Sequence, residues 1–462
     1  MRGWLGRGLA RSAVGVVALA VVVPAGPVLA QPAASPDMTA SPDVTVLKSV
    51  GVQLPVSDLR AIELDENRGR LYIAQGVGSG NPIVVTDLDG RLLTRITAVT
   101  DVSDLVLSDD GTTLLAAQGF TRVTAINADT LTVSATYNAP AGACVHTVEP
   151  TGNKIVGGYV DCGIGSGGLL VWSSPGIAPV VYTGGPNYDP IIDGSPGAPG
   201  LLVAGDTGYS PVTTYVIDVA SATPQIVARR DNTGSNLRDY AISGDGTEVV
   251  ETVGSPYEHH AYRLPDLADA VVYPSGVYPA DATWSADGST VVIGRAHTNS
   301  DPDVYFYDKD QTTPKYVVDF HPNDVLWDGT LLVNRDGSRA WAVSYNDTYQ
   351  DVQLLHSFGP AHPPNPPITD LTVTAHTGTG KDKSTAYLTI NWSSPTGPDD
   401  YAWITASTNG GSEREFWRWP MAGGGPLSLT YALPRGTTTF TVRYHDYWNF
   451  YPDGFATATL NR

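Results

Sequence analysis

Along most of the chain, short apolar or alternating runs are separated by clusters of Gly, Asp, Asn, Ser and Pro, with no long helical pattern. Alternation with a period of two puts successive side chains on opposite faces of a strand, and runs apolar throughout fit strands covered on both faces. The clearest unit is Leu107 to Ala117, where two apolar runs flank Ser-Asp-Asp-Gly-Thr. Ile242 to Glu251, Trp284 to Ile293 and Val333 to Ala342 repeat it, each with an Asp-Gly step. Weaker copies run from Leu64 to Ile73 and from Val148 to Val156. Asp-Gly supplies the positive φ that a tight hairpin turn needs, so each copy predicts two antiparallel strands.

The turns fall near positions 68, 111, 152, 198, 246, 288 and 337, a mean spacing of about 45 residues. The fourth, around Pro196 to Gly200, is degenerate and is placed partly by its neighbours. Two further strands follow each hairpin, such as Ile83–Asp87 and Leu92–Ile96 in the first copy, or Asp303–Asp308 and Lys315–Asp319 in the sixth. Four strands in each of seven copies predict a seven-bladed β-propeller over residues 44–358. The alternative is a β-sandwich joined to an unrelated β domain. The seventh copy ends at its third strand, Val352–Phe358, while Val44–Val50 stands alone before the first copy. This N-terminal strand is expected to complete the seventh blade and hide a sheet edge. Ser108–Gly111 and Ser285–Gly288, each before an apolar strand, resemble the hairpins of secreted bacterial propellers of the YVTN-repeat and lactonase-like kind. The resemblance spans residues 44–358 and its motif is structural. The YVTN tetrapeptide is absent, and no catalytic residue of a propeller enzyme matches a position of this chain.

Residues 359–367 are Pro-rich and read as a stiff linker. Over residues 368–462, Leu371–Thr374, Ala386–Trp392, Tyr401–Ser407, Leu427–Tyr431, Thr438–Tyr444 and Ala456–Leu460 alternate like the short strands of a β-sandwich. Trp392, ending the second of these, and the run Thr439–Tyr444 resemble a fibronectin type III domain, an Ig-like fold. That resemblance implies a spacer or binding module without chemistry. The expected fold class is therefore all-β, a seven-bladed β-propeller followed by a fibronectin type III β-sandwich.

The first residues carry an address. Arg2, Arg7 and Arg11 precede the small, apolar run Ser12–Val23, and Val28-Leu29-Ala30 fits a signal-peptidase site. Residues 1–30 thus read as a Sec signal peptide and imply a secreted, extracellular protein. Pro24 and Pro27 interrupt the apolar run short of the ~20 residues of a spanning helix. No other segment reads as a transmembrane anchor. Residues 31–43 read as a flexible leader. Cys144 and Cys162 flank the third hairpin, and folding it brings them together, so a disulfide is expected in an oxidising compartment. Composition narrows the partners. With 47 Asp+Glu against 27 Lys+Arg, the formal charge is −20, which argues against nucleic acid.

Candidate chemistry is sparse. In a propeller the innermost strands line the channel, and the loops leading into them share one rim with the loops between second and third strands. Asp104, Asp239 and Asp281 occupy one repeat position, seven before the turn Gly, with Asp58, Asp189 and Asp328 nearby but out of register. Carboxylates converging there repel one another unless a hard cation such as Ca²⁺ or water intervenes. The alternative is that each Asp orders its own turn or a neighbouring strand. The same rim is expected to carry Tyr257, Glu258, His259, His260, His297, Asp301 and Asp303. His259 and His260 are adjacent on a strand and point to opposite faces, so only one of them, His260 in our assignment, can join a site. A Glu/His pair there is suited to acid–base work or to holding a metal. No HExxH, GxSxG or phosphate-loop motif occurs. Near the C-terminus, Phe416–Trp419, with Trp417 and Trp419, and Tyr447–Tyr451, with Trp448, have two readings. One is a sugar-stacking or protein-docking patch; the other is packing within the sandwich or against the propeller. These features favour a non-enzymatic binding protein with a protein or carbohydrate ligand. The alternative is a propeller-scaffold enzyme, a lactonase, lyase or glycan-active hydrolase, using an acidic/His channel-mouth site.

Overall fold

The computed structural model describes residues 44–462 except 45, 50, 77, 79, 164, 298–301, 321–322, 347–351, 361–370, 393–400, 413, 421–425 and 446–454. The signal-peptide and leader readings, most of the linker, Asp301 and Trp448 lie outside the described residues. The chain is all-β, and its described residues up to Phe358 form seven blade-like sheets of four or five strands. We number these sheets in chain order. In the first six, the four strands that follow one another from the inner strand outward pair antiparallel, as in the first: Leu59–Asp65, Arg70–Gln75, Pro82–Asp87 and Leu92–Thr100.

The hairpin motif explains itself locally. Asp110 Oδ1 accepts from the Thr112 amide at 2.9 Å and from Ser108 Oγ at 2.7 Å, while Gly111 takes φ +66°. Asp245 and Asp287 repeat these bonds with Ser243 and Thr247, and with Ser285 and Ser289. The degenerate fourth turn has a steric reason. A Cβ on Gly197 would lie 2.3 Å from the Asp245 carbonyl carbon, so this turn is pressed directly onto the fifth hairpin.

Why the middle strands are apolar throughout follows from their neighbours. Strands such as Gly167–Trp172 and Thr290–Arg295 are buried along their whole length. Each sheet shares a core with the next. Tyr72 and Val85 of the first meet Leu114 and Ile126 of the second, and Val292 and Phe306 of the sixth meet Ala340 and Phe358 of the seventh. The seventh in turn meets the first, through Trp341 and Val343 against Leu71 and Ile73. Each such aliphatic side chain contributes roughly 1.5–3 kcal/mol by leaving water. Fourth strands such as Gln225–Asp231 are largely exposed, whereas Tyr316–Phe320 of the sixth sheet is buried throughout.

The N-terminal strand departs from expectation. Val46–Ser49 adds in parallel to the outer strand Tyr316–Phe320 of the sixth sheet. Only Val52–Gln53 pairs with the seventh, against Leu354–Leu355. The segment switches sheets at Gly51, where a Cβ would stand 2.5 Å from Leu354 Cβ. His356 fixes the crossing, with Nδ1 at 3.1 Å from Ser49 Oγ and Nε2 at 2.8 Å from Ser344 Oγ.

Cys144 and Cys162 are joined by a disulfide across the third hairpin, Cα to Cα 5.3 Å, with a sequence separation of 18. Replacing both by Ser is expected to remove about 3 kcal/mol of stability in the chain-entropy picture. Urea unfolding should show that loss, and reductant should then leave the double variant unaffected.

After the linker come a three-stranded sheet, Thr372–Thr377, Thr385–Asn391 and Leu427–Ala432, and a four-stranded one. The latter runs Arg414–Pro420, Tyr401–Thr408, Thr437–His445, Phe455–Asn461 in spatial order. Both contribute to one apolar core, which includes Leu388, Ile390, Ile404, Phe440 and Val442.

Candidate functional site

The innermost strands carry two layers of carboxylates. In the upper layer, Asp104 accepts from the Val148 amide at 2.8 Å and Asp239 from the Ala282 amide at 3.0 Å. Asp281 accepts from the amides of Thr330 at 2.6 Å and Leu331 at 2.8 Å. Two residues further along their own strands lie Glu63 and Asp193, bound to the amides of Leu107 at 3.2 Å and Ile242 at 2.5 Å. Glu149 stands in the third sheet beside Asp193. In every amide-bound case the acceptor sits on one sheet and the donor on the next, so the acids pin neighbouring inner strands together.

The electrostatics follow from that crowding. Burial pushes the Glu63 carboxyl up to about 8, with Asp104 and Asp65 adding to the rise. Burial likewise raises Asp239 to about 6. Glu149, Asp193 and Asp281 are held well above the ordinary carboxylate range, first by burial and then by their acidic neighbours. All but Asp281 nevertheless keep part of their surface accessible.

The sequence-predicted residues thus divide. Asp239 and Asp281 stand in each other's field, while Asp104 stands on the second sheet in the field of Glu63 and Glu149. Among the described residues no group of three or more His, Cys, Asp or Glu is arranged to hold a metal. Of the three residues expected to hold a calcium ion, Asp104 stands on the second sheet, Asp239 on the fifth and Asp281 on the sixth, and each accepts from a backbone amide. His260 lies on a third strand, away from the inner ones. Its Nε2 is 3.0 Å from Asp269 and its ring stacks on Tyr262 at 4.3 Å. His259 points inward instead, with Nε2 3.1 Å from the Asp281 carbonyl, and burial lowers its pKa to about 3. Asp303 is buried and accepts from the Phe320 amide at 2.7 Å. Trp417 and Trp419 lie on the edge strand Arg414–Pro420, opposite Ile404 and Ala402.

The rim where chain enters the inner strands holds four tyrosines, of which the sequence reading names only Tyr257. Tyr188 and Tyr209 pair at 5.7 Å, and Tyr257 and Tyr278 at 5.5 Å, all four exposed. His297 approaches Tyr278 at 5.1 Å. Tyr257 and Tyr278 line a cavity of about 210 Å³ together with Asn236, Arg238 and Asp328. Arg238 Nη1 is 2.7 Å from Asp328 Oδ2. The Asn236 amide oxygen, turned toward the guanidinium, accepts from its Nε and Nη2 at 3.2 Å. Tyr278 and Asn236 have φ of 61° and 60°. The left-handed region costs a bulky residue such as Tyr on the order of 1 kcal/mol or more, and such strain gathers at functional sites. Irregular loop lengths hide Tyr188, Tyr209 and Tyr278 from repeat counting.

Two Ser–His contacts, His356 with Ser344 and His259 with Ser275, are sealed in the interior, so neither serine can meet a substrate. At the rim, His146 Nδ1 lies 2.5 Å from Asp189 Oδ1, both partly accessible, beside Phe120 at 4.9 Å.

No family model matches the chain, and no curated protein matches it in sequence. Among solved structures, hydrazine synthase of Kuenenia stuttgartiensis is similar over 67% of this chain and 98% of its own, at 16% identity and a TM-score of 0.48. The Dos1 propeller is similar over 67% of this chain and 81% of its own, at 17% identity and a TM-score of 0.47.

Proposed function

We propose that the chain is an exported seven-bladed β-propeller, of the YVTN-repeat and lactonase-like kind, followed by a fibronectin type III sandwich, and that it works by binding at its rim. The seventh-to-first core supports closure of seven sheets into one ring. The three-plus-four strand order around one core supports the sandwich, and Trp392 is buried at the end of its second strand. The signal-peptide pattern of residues 1–30 and the disulfide support export together.

The observation that carries binding is the set of four exposed rim tyrosines, Tyr188, Tyr209, Tyr257 and Tyr278. Tyrosine offers a large apolar face with a polar tip at little entropic cost, which is why it concentrates at recognition surfaces. Of the deeper acids, Glu63, Asp104, Asp193, Asp239 and Asp281 are committed to backbone amides, as structural pins are. A second reading, acid–base catalysis on this scaffold, is favoured by the His146–Asp189 pair alone.

The test sets the two side by side. The full chain is offered lactones, uronate polymers and glycosides, and its binding to extracellular polysaccharide and protein fractions is measured by surface plasmon resonance. Expected are no turnover and a saturable interaction weakened at least about tenfold when all four tyrosines become Ala. Turnover abolished by His146→Ala overturns the binding reading.

A further inference from the structure

We infer that the pocket between Tyr257 and Tyr278 takes a neutral carbohydrate unit, an inference that rests on the rim-binding reading and gives its ligand a chemical class. Charge comes first. The Arg238–Asp328 pair leaves the pocket without net charge, and a chain of formal charge −20 repels anions from it. A simple cation gains little where the carboxylate already holds a guanidinium at 2.7 Å.

Shape comes next. About 210 Å³ is below the roughly 300–1,000 Å³ of pockets for drug-sized ligands, and it suits one pyranose-sized ring. Gly254 lines the pocket, and a Cβ there would stand 2.6 Å from the end of the Asn236 side-chain amide, so the bare backbone keeps the space open.

Functional groups decide the class. A sugar ring shows an apolar C–H face and a rim of hydroxyls that both donate and accept. Tyr257 and Tyr278 supply exposed aromatic surface. The planar groups of Asn236, Arg238 and Asp328 supply donors and acceptors, held in place by their mutual bonds. A purely apolar ligand leaves those polar groups unmatched, which costs affinity.

The experiment uses the full chain on an array of neutral and acidic glycans, followed by calorimetric titration of the best-bound neutral one. Tyr278→Asn removes the ring while keeping a residue that tolerates the left-handed conformation; Tyr257→Ala removes its neighbour. Each is expected to weaken neutral-glycan binding about tenfold, with the melting curve unchanged. Three results overturn the inference: no glycan bound, only acidic glycans bound, or a neutral glycan held equally by both variants. If no glycan binds but the four-tyrosine variant still loses its extracellular partner, the carbohydrate assignment alone fails. If a glycan binds undiminished by every rim variant, the rim reading fails with it.

Discussion

Raising the pH from about 5 to about 9 is expected to destabilise this protein. Unfolded carboxyl groups titrate near 4 to 4.5. The Glu63 carboxyl in the folded chain titrates at about 8, and Asp239 at about 6. Between those values the folded state binds more protons than the unfolded one, so stability falls as pH climbs. The contribution of Asp239 is lost by about pH 6 and that of Glu63 by about pH 8. The full shift at Glu63 corresponds to several kcal/mol, and its partial contact with solvent reduces this to about 2–3 kcal/mol. Turn carboxylates act in the opposite sense. Hydrogen bonds hold Asp110, Asp287 and Asp336 below their ordinary values, so their stabilisation is present above about pH 4 and lost below it. The stability maximum therefore belongs near pH 5. Denaturant midpoints across this range check the prediction, and Glu63→Gln sharpens it. The amide oxygen can still accept from Leu107, but the charge is gone. The variant should match the wild type at pH 5 and exceed it at pH 9. A wild-type midpoint that is flat or rising from pH 5 to 9 contradicts the account.

The same acids show where the sequence was readable. The hairpins were legible because their cause is local: Ser108, Asp110 and Gly111 make their bonds within a few residues. Asp104, Asp239 and Asp281 were found by counting back from the turn Gly. The lower layer was not, because hairpin length varies: Glu149 lies three before Gly152 and Glu63 six before Gly69. Counted instead from the irregularity near the start of the strand, such as Leu59/Ala61 or Val145/Thr147, both fall in register. No local signal says that these carboxylates bind the next sheet's amides, since each partner lies 43 to 50 residues away. The N-terminal strand pairs with the sixth sheet, not the seventh as its position in the repeat predicts, for a related reason. Alternation identifies Val46–Ser49 as a strand, but the choice between the sixth and seventh edges depends on how Gly51 passes Leu354 and His356.

Closure between the seventh and first sheets concentrates on Trp341, and Trp341→Ala is expected to cost about 3–5 kcal/mol. The indole is 1% exposed and packs among Leu59, Ile62 and Leu71. Its Nε1 donates to the Leu88 carbonyl at 2.9 Å, across the junction. Arg339 lies over the ring at 4.6 Å and reaches Asp89 at 3.0 Å, so removing the indole also releases that bridge. Besides these contacts, the segment leading into the first sheet is tied to the seventh by the two-residue pairing of Val52–Gln53 with Leu354–Leu355, by the Leu54 amide on the Gln353 carbonyl at 2.8 Å and by His356 on Ser49 at 3.1 Å. Trp284 offers the comparison. It is also buried and donates to a neighbouring sheet, at the Ala241 carbonyl 3.1 Å away, but both of its sheets sit mid-chain with a short connection. Both Ala variants should lower the urea midpoint. Only Trp341→Ala should expose the chain between Gly51 and Asp58 to limited proteolysis under native conditions. Equal cleavage of the two variants, or a loss below about 1 kcal/mol for Trp341→Ala, contradicts a closure held at this residue. Trp341→Phe separates the contributions, keeping most of the apolar contact and giving up the Leu88 bond, worth about 1 kcal/mol.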